Sequence, residues 1–236
     1  NPERCVGIDV GILKYAHDTD GRAIDSLDLT AERERLQREQ QKLSRKEHGS
    51  HNWKQQRQKV AECHQEIKRK RRDFLHKLSN YYATEYDLVA VEDLNIKSML
   101  ESPGNSQNTA SAAWDTFTTL LSYKCDREGT HFVEVDPKDT TKECASCGVA
   151  TDKPLWVREH SCPACGFTMD RDANAAIDIL SRGFEQIGVV HSEETPGETA
   201  LAMFTSSDSS DAVDVKRVIE SGSPILNERT AQAVSE

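Results

Sequence analysis

Cys144-Ala145-Ser146-Cys147-Gly148, Cys162-Pro163-Ala164-Cys165-Gly166 and Asp170-Arg171-Asp172-Ala173-Asn174 follow one another in one short stretch of this 236-residue chain. The two cysteine pairs enclose 14 residues, Gly148 to Ser161. Paired thiolates at this spacing can close four ligands around one Zn²⁺. A glycine directly after each pair suits the tight knuckle that points both sulfurs at one ion. Cys144, Cys147, Cys162 and Cys165 therefore read as a structural site, because four protein ligands leave no position for substrate. His160 could compete as a ligand, but the second cysteine of each pair makes it unnecessary. The acidic run sits where a helix should begin, a place from which a carboxylate can be presented to a second, catalytic metal. A zinc ribbon beside such a carboxylate implies nucleic-acid processing rather than small-molecule metabolism.

Working towards the amino terminus, His131–Val135 reads as a strand, and residues 110–128 as an amphipathic helix with Trp114, Phe117, Leu120, Leu121 and Tyr123 or Lys124 at its seam. Trp114 reads as core rather than as a base-stacking platform. Leu88-Val89-Ala90-Val91-Glu92-Asp93-Leu94 is a short apolar run ending in acids, the pattern of a buried strand. Cys5-Val6-Gly7-Ile8-Asp9-Val10-Gly11 reads as another buried strand ending in a tight turn. Residues 13–18 and 23–29 read as further strands around an Asp20-Gly21 turn. Helical spacing then predicts two long helices, about 31–47 and 53–85, with Thr30 as a partial cap and a break at His48-Gly49-Ser50. Residues 102–106 read as a loop. The final helix is expected over 172–183, ended by Gly183. Residues 190–236 are rich in Ser, Glu, Asp and Thr with little periodicity, which predicts a largely disordered tail.

Net charge is −10, yet residues 33–77 hold 15 Lys/Arg against 6 Asp/Glu. One basic stripe on an acidic body is compatible with phosphate binding along that stripe. Its densest part, Lys68-Arg69-Lys70-Arg71-Arg72, is the candidate nucleic-acid contact; the competing reading is a solvated helix face. Seven cysteines, three of them scattered, do not form a disulfide framework. No run of apolar residues is long enough to span a membrane and no signal peptide is evident, so a cytoplasmic location is expected.

Three acids fall at the ends of predicted core elements: Asp9, Glu92 and Asp172. Clustered carboxylates of this kind hold Mg²⁺ in ribonuclease-H-like nucleases, where the ions activate water and stabilise the leaving oxygen of a phosphodiester. Position alone does not choose between Glu92 and Asp93, or between Asp170 and Asp172.

Taken together, Gly7-Ile8-Asp9-Val10-Gly11, Val91-Glu92-Asp93-Leu94, the four-cysteine ribbon and Asp170-Arg171-Asp172-Ala173-Asn174-Ala175-Ala176 resemble the TnpB (OrfB) family of transposon proteins, which are similar to type V CRISPR effectors. The resemblance covers residues 4 to about 183. It implies an α/β fold, a ribonuclease-H-like RuvC domain over 1–139 with a long helical insertion (about 31–85), an inserted zinc ribbon over 140–168 and a final RuvC segment over 169–185. It implies Asp9, Glu92 and Asp172 as the catalytic acids, Asp172 because the family places this Asp two residues before Asn, here Asn174. It implies structural Zn²⁺, catalytic Mg²⁺, and DNA and a guide RNA as partners, with base pairing supplying sequence specificity. The family carries an amino-terminal part ahead of the first motif, whereas this chain begins almost on the first catalytic strand. The chain is therefore expected to be a fragment or a decayed frame, and guided recognition by it alone is not expected. The alternative is a catalytically silent DNA-binding remnant.

Overall fold

A computed structural model of the chain describes residues 2–94, 113–154, 156–188 and 200. The loop expected at 102–106 and the first residues of the 110–128 helix lie outside the described residues. So does the expected disordered tail, apart from Ala200, which is buried.

The chain divides into two compact units, residues 27–77 and the remainder. The larger unit is built on a five-stranded sheet in the order β3-β2-β1-β4-β5. Its strands are β1 (Cys5–Val10), β2 (Ala16–Asp18), β3 (Ala23–Ile24), β4 (Leu88–Glu92) and β5 (His131–Val135). β1, β4 and β5 run parallel; β2 and β3 return antiparallel to β1. β1 and β4 lie inside the sheet, and their near-continuous apolar runs match strands buried on both faces.

Helix α3 (Trp114–Glu128) buries Trp114, Phe117, Leu121, Lys124 and Cys125. The seam therefore takes Lys124, not Tyr123, which is exposed. Gly129 ends the helix at φ 80°, a left-handed position that glycine adopts without strain. Helix α4 (Arg171–Ile187) is the central helix of the core; Ala175, Ala176, Ile177, Ile179, Leu180 and Phe184 are fully buried. It runs past the expected end at Gly183 and stops at Gly188, φ 68°. Gly183 has another purpose: a Cβ there would lie 2.8 Å from the Cβ of Ala90. A small residue is needed for close packing, which in sequence looks like a helix stop. The shorter strands are held by side chains. Asp18 is fully buried and accepts from Tyr82 (3.0 Å) and from the backbone of Asp20 and Arg22 (both 3.0 Å), fixing the hairpin after β2.

The smaller unit contains α1 (Thr30–Ser44) and most of α2 (His51–Glu85). Thr30 lies inside α1 rather than capping it, and Asp28 accepts from the Thr30 N–H instead (2.9 Å). Ser50 accepts from the Trp53 N–H at the start of α2 (3.1 Å). α1 buries no residue fully, and polar contacts such as Arg35–Glu66 (2.8 Å) and Gln56–Glu39 (2.6 Å) join it to α2. The last turns of α2, from Leu78 on, group with the sheet, so the helical unit is shorter than the expected insertion.

Candidate nuclease centre and zinc ribbon

Strand register places the first two acids. Gly7 pairs with Ala90 and Ile8 with Val91 across the parallel β1–β4 ladder, so Asp9 and Glu92 stand side by side one step further on. Side chains alternate along a strand, so Asp9 shares a face with Gly7, and Glu92 with Ala90. That face is covered by α4. A Cβ at Gly7 would lie 2.2 Å from the Ala176 carbonyl oxygen. Asp172 precedes Ala176 by about one helical turn. The close approach at Gly7 and Gly183 thus carries the first turn of α4 onto the ends of β1 and β4.

Asp9 and Asp172 are both 8 % exposed. Burial first, then the charges of Glu92 and Asp172, push the Asp9 carboxyl well above the usual carboxylate range. Burial likewise raises Glu92, opposed by a hydrogen bond from the Thr140 hydroxyl. Repelling carboxylates in a half-buried site become favourable when a divalent cation supplies the opposing charge. Such oxygen donors fit Mg²⁺.

The two candidates at the start of α4 have different surroundings. Asp170 is the N-cap and is exposed, and its Oδ1 accepts from the N–H groups of Asp172 (2.9 Å) and Ala173 (3.2 Å). Asp172 is buried, and its charge acts on Asp9.

Sequence reasoning missed the groups around Asp172. In β6 (Glu159–Ser161) and β7 (Thr168–Asp170), Glu159 pairs with Asp170. Just beyond, the Arg171 N–H donates to the Arg158 carbonyl (2.7 Å). This ladder brings the Arg158 guanidinium onto Asp172 Oδ2. Arg171 Nε lies 3.8 Å from Asp172 Oδ1. His17, opposite Asp9 in the β1–β2 pairing, brings its Nδ1 to 3.5 Å from Asp172 Oδ2. Neither Arg158 nor His17 follows from spacing, since each depends on hairpin register.

The four cysteine sulfurs lie within 4.8 Å of one another, with Cys144–Cys165 at 3.7 Å and Cys147–Cys162 at 3.5 Å. A tetrahedron with about 2.3 Å Zn–S bonds has edges of roughly 3.8 Å, so the cage fits zinc. Gly148 (φ 71°) and Gly166 (φ 76°) form the knuckles, their N–H groups donating to the carbonyls of Cys144 (2.8 Å) and Cys162 (3.0 Å). His160 is fully buried and not among the clustered sulfurs.

Asn174 ties the ribbon to α4. Fully buried, it accepts from the Ala145 N–H (3.0 Å) and donates to the Glu143 carbonyl (2.7 Å). Arg182 adds hydrogen bonds to the carbonyls of Asp136 (2.7 Å) and Lys138 (2.8 Å). A cleft of about 670 Å³ beside this clasp is lined by residues including Glu143, Asp178 and Arg182, but not by Asp9, Glu92 or Asp172.

In the basic stripe, Lys68, Arg69 and Arg72 are exposed, Arg71 is half-buried, and Lys70 pairs with Glu32 of α1.

Residues 1–103 match the family described as "Probable transposase" (OrfB_IS605), and residues 114–179 match the "Cas12f1-like, TNB domain". Over these two segments the chain is similar to OrfB (TnpB) proteins. A Streptomyces pristinaespiralis protein named "Putative RNA-guided DNA endonuclease" is 39 % identical over 181 residues, covering 75 % of this chain and 45 % of that protein. InsQ of Escherichia coli (strain K12), "Putative RNA-guided DNA endonuclease InsQ", is 31 % identical, covering 75 % of this chain and 48 % of its own length. The chain thus spans about half the length of the curated relatives it matches. In fold it is similar to a chain of the Cas12f1–sgRNA–target DNA complex (TM-score 0.55, 18 % identity, covering 76 % of this chain and 50 % of that one). Among the described residues, no helix is long and apolar enough to cross a membrane.

Proposed function

We propose that this chain is the RuvC-type, ribonuclease-H-like catalytic part of an RNA-guided DNA endonuclease. The observation that carries the reading is that Asp9, Glu92 and Asp172, from three separate elements, stand near enough for the charges of Glu92 and Asp172 to act on Asp9. Burial first, and then these charges, raise the Asp9 carboxyl, an arrangement suited to divalent cations. The names of the relatives and the sheet order support it.

Bound Mg²⁺ would supply charge for the attacking water and the leaving oxygen of the phosphodiester. The chain's own residues do the positioning. β1 and β4 set Asp9 and Glu92 side by side, and Thr140 fixes the Glu92 carboxylate by its hydroxyl. The first turn of α4 brings in Asp172, with Asp170 holding that turn in shape. Arg158, paired with Asp172, places a positive charge beside the acids, where it can meet the scissile phosphate. Zn²⁺ in the ribbon holds the hairpin that carries Arg158, while Lys68, Arg69, Lys70, Arg71 and Arg72 contact phosphates of the guide RNA or DNA.

The test uses a protein completed to the length of its relatives and supplied with guide RNA and matching DNA. Mg²⁺ should support cutting. Asp9→Ala, Glu92→Ala and Asp172→Ala should each abolish cutting while DNA binding persists, and Asp170→Ala should still cut. Cutting by the Asp172→Ala variant would overturn the assignment; binding without any Mg²⁺-dependent cutting by the unaltered protein would favour a silent remnant.

A further inference from the structure

His17 is not accounted for by three carboxylates, yet it stands among them. It lies directly across the β1–β2 pair from Asp9. Its side chain is 17 % exposed. Its Nδ1 is 3.5 Å from Asp172 Oδ2, beyond the 2.7–3.2 Å or so of an N–H···O hydrogen bond. No hydrogen bond to the ring occurs among the described residues. A mostly buried imidazole is therefore aimed at a carboxylate without bonding to it.

One ligand atom each from His17, Asp170 and Asp172 lie within 4.8 Å of one another. Metal–nitrogen and metal–oxygen bonds of about 2.1 Å put neighbouring ligands roughly 3 Å apart and opposite ones about 4.2 Å apart. Small side-chain rotations would close the three on one ion. Asp170 spends Oδ1 on the helix cap and keeps its other oxygen for a cation. A separate observation points to the same place. Asp9, nine-tenths buried and in register with His17, accepts no hydrogen bond to its carboxylate among the described residues. A buried carboxylate without a donor needs opposing charge, and the two it has, Arg158 and Arg171, are shared with Asp172.

We infer that His17, Asp170 and Asp172 form a nitrogen-containing cation position at the edge of the catalytic carboxylates, which takes a first-row transition ion such as Mn²⁺ in preference to Mg²⁺. The inference rests on the nuclease reading and adds a ligand and a metal preference to it. The chemistry follows from the donors. Carboxylates alone suit Mg²⁺, whereas an imidazole favours transition-metal ions over Mg²⁺, which binds nitrogen poorly. Arg158 shares Asp172 Oδ2 with His17, and its side chain is 42 % exposed. A doubly charged ion can take its place, and the guanidinium can move out into solvent.

Pulsed EPR on the zinc-loaded chain with Mn²⁺ as the probe tests this without nucleic acid. Mn²⁺ should show nitrogen coupling from a directly bound imidazole, and the signal should change when histidine is ¹⁵N-labelled, a readout that needs no variant. His17→Gln should remove the coupling and weaken Mn²⁺ about tenfold or more, with much less effect on Mg²⁺. Mn²⁺ bound without nitrogen coupling, or coupling that survives in His17→Gln, would overturn the inference. Either result would leave the three-carboxylate nuclease reading standing, because that reading is decided by the cutting assay. Failure of Mn²⁺ to bind at all would also overturn the inference.

Discussion

Gly7→Ala is expected to act at a distance on Asp172, because one missing side chain sets the height of α4 over the sheet. The added Cβ would lie 2.2 Å from the Ala176 carbonyl oxygen, 2.8 Å from Leu180 N and 2.9 Å from Leu180 Cβ. The first two of these atoms are helix backbone, so no rotamer change can relieve the clash. Carbon–oxygen contacts settle at about 3.3 Å or more, so α4 must lift by roughly 1 Å. Overpacking of this kind costs about 1–3 kcal/mol, which exceeds the roughly 0.4–1 kcal/mol gained from a stiffer unfolded chain. The lift also moves Asp172, one turn away, off Asp9. Urea unfolding of the zinc-loaded chain should show a loss of about 1–3 kcal/mol. The stabilisation that millimolar Mn²⁺ gives the unaltered chain should largely vanish. Gly11→Ala is the control: its nearest neighbour is a single carbonyl oxygen, of Lys14, at 3.1 Å, and it should cost under about 1 kcal/mol. A Gly7→Ala chain as stable as the unaltered one, with its Mn²⁺ response intact, would refute the idea that this contact sets the position of Asp172.

Three further outcomes are expected. Elemental analysis should find about one zinc per chain, lost with the ribbon's fold in Cys147→Ser; full retention with all four cysteines replaced by serine would disprove the site. Replacing Arg69, Arg71 and Arg72 together by Ala should weaken nucleic-acid binding for all sequences and flatten its salt dependence, and an unchanged slope would mean the stripe is a solvated face. Burial lowers the Lys124 ammonium from 10.5 to about 8. The unfolded chain therefore holds this proton more tightly, and stability rises with pH between about 8 and 10.5, by at most about 3–4 kcal/mol. Lys124→Met should lose that rise, and identical pH profiles in denaturant unfolding would count against the assignment.

The parts legible in the sequence share a physical character: they are local or periodic. The apolar runs of β1 and β4 announced buried strands, and the matched cysteine pairs with their glycines announced the four-cysteine cage. Gly183 was misread because a glycine in a helix looks the same whether it ends the helix or lets Ala90 approach. Thr30 was misread because the helix already includes it, with its N–H donated to Asp28 two residues earlier. His17 and Arg158 were invisible for a different reason. Each reaches Asp172 only through the register of a hairpin, and register is a property of two paired strands that neither shows alone. Lys124 at the seam of α3 was one of two candidates, and burial beside Ser79 (2.9 Å from its Nζ) decided it.

The account stands on three carboxylates acting as one cation site. Anomalous diffraction from crystals of the zinc-loaded chain soaked in Mn²⁺ tests it most directly. The account predicts manganese peaks bonded to Asp9, Glu92 and Asp172, in addition to any ion at the His17–Asp170–Asp172 position and distinct from the zinc peak among the four cysteines. Manganese bound elsewhere, with those three carboxylates holding no ion, would contradict it.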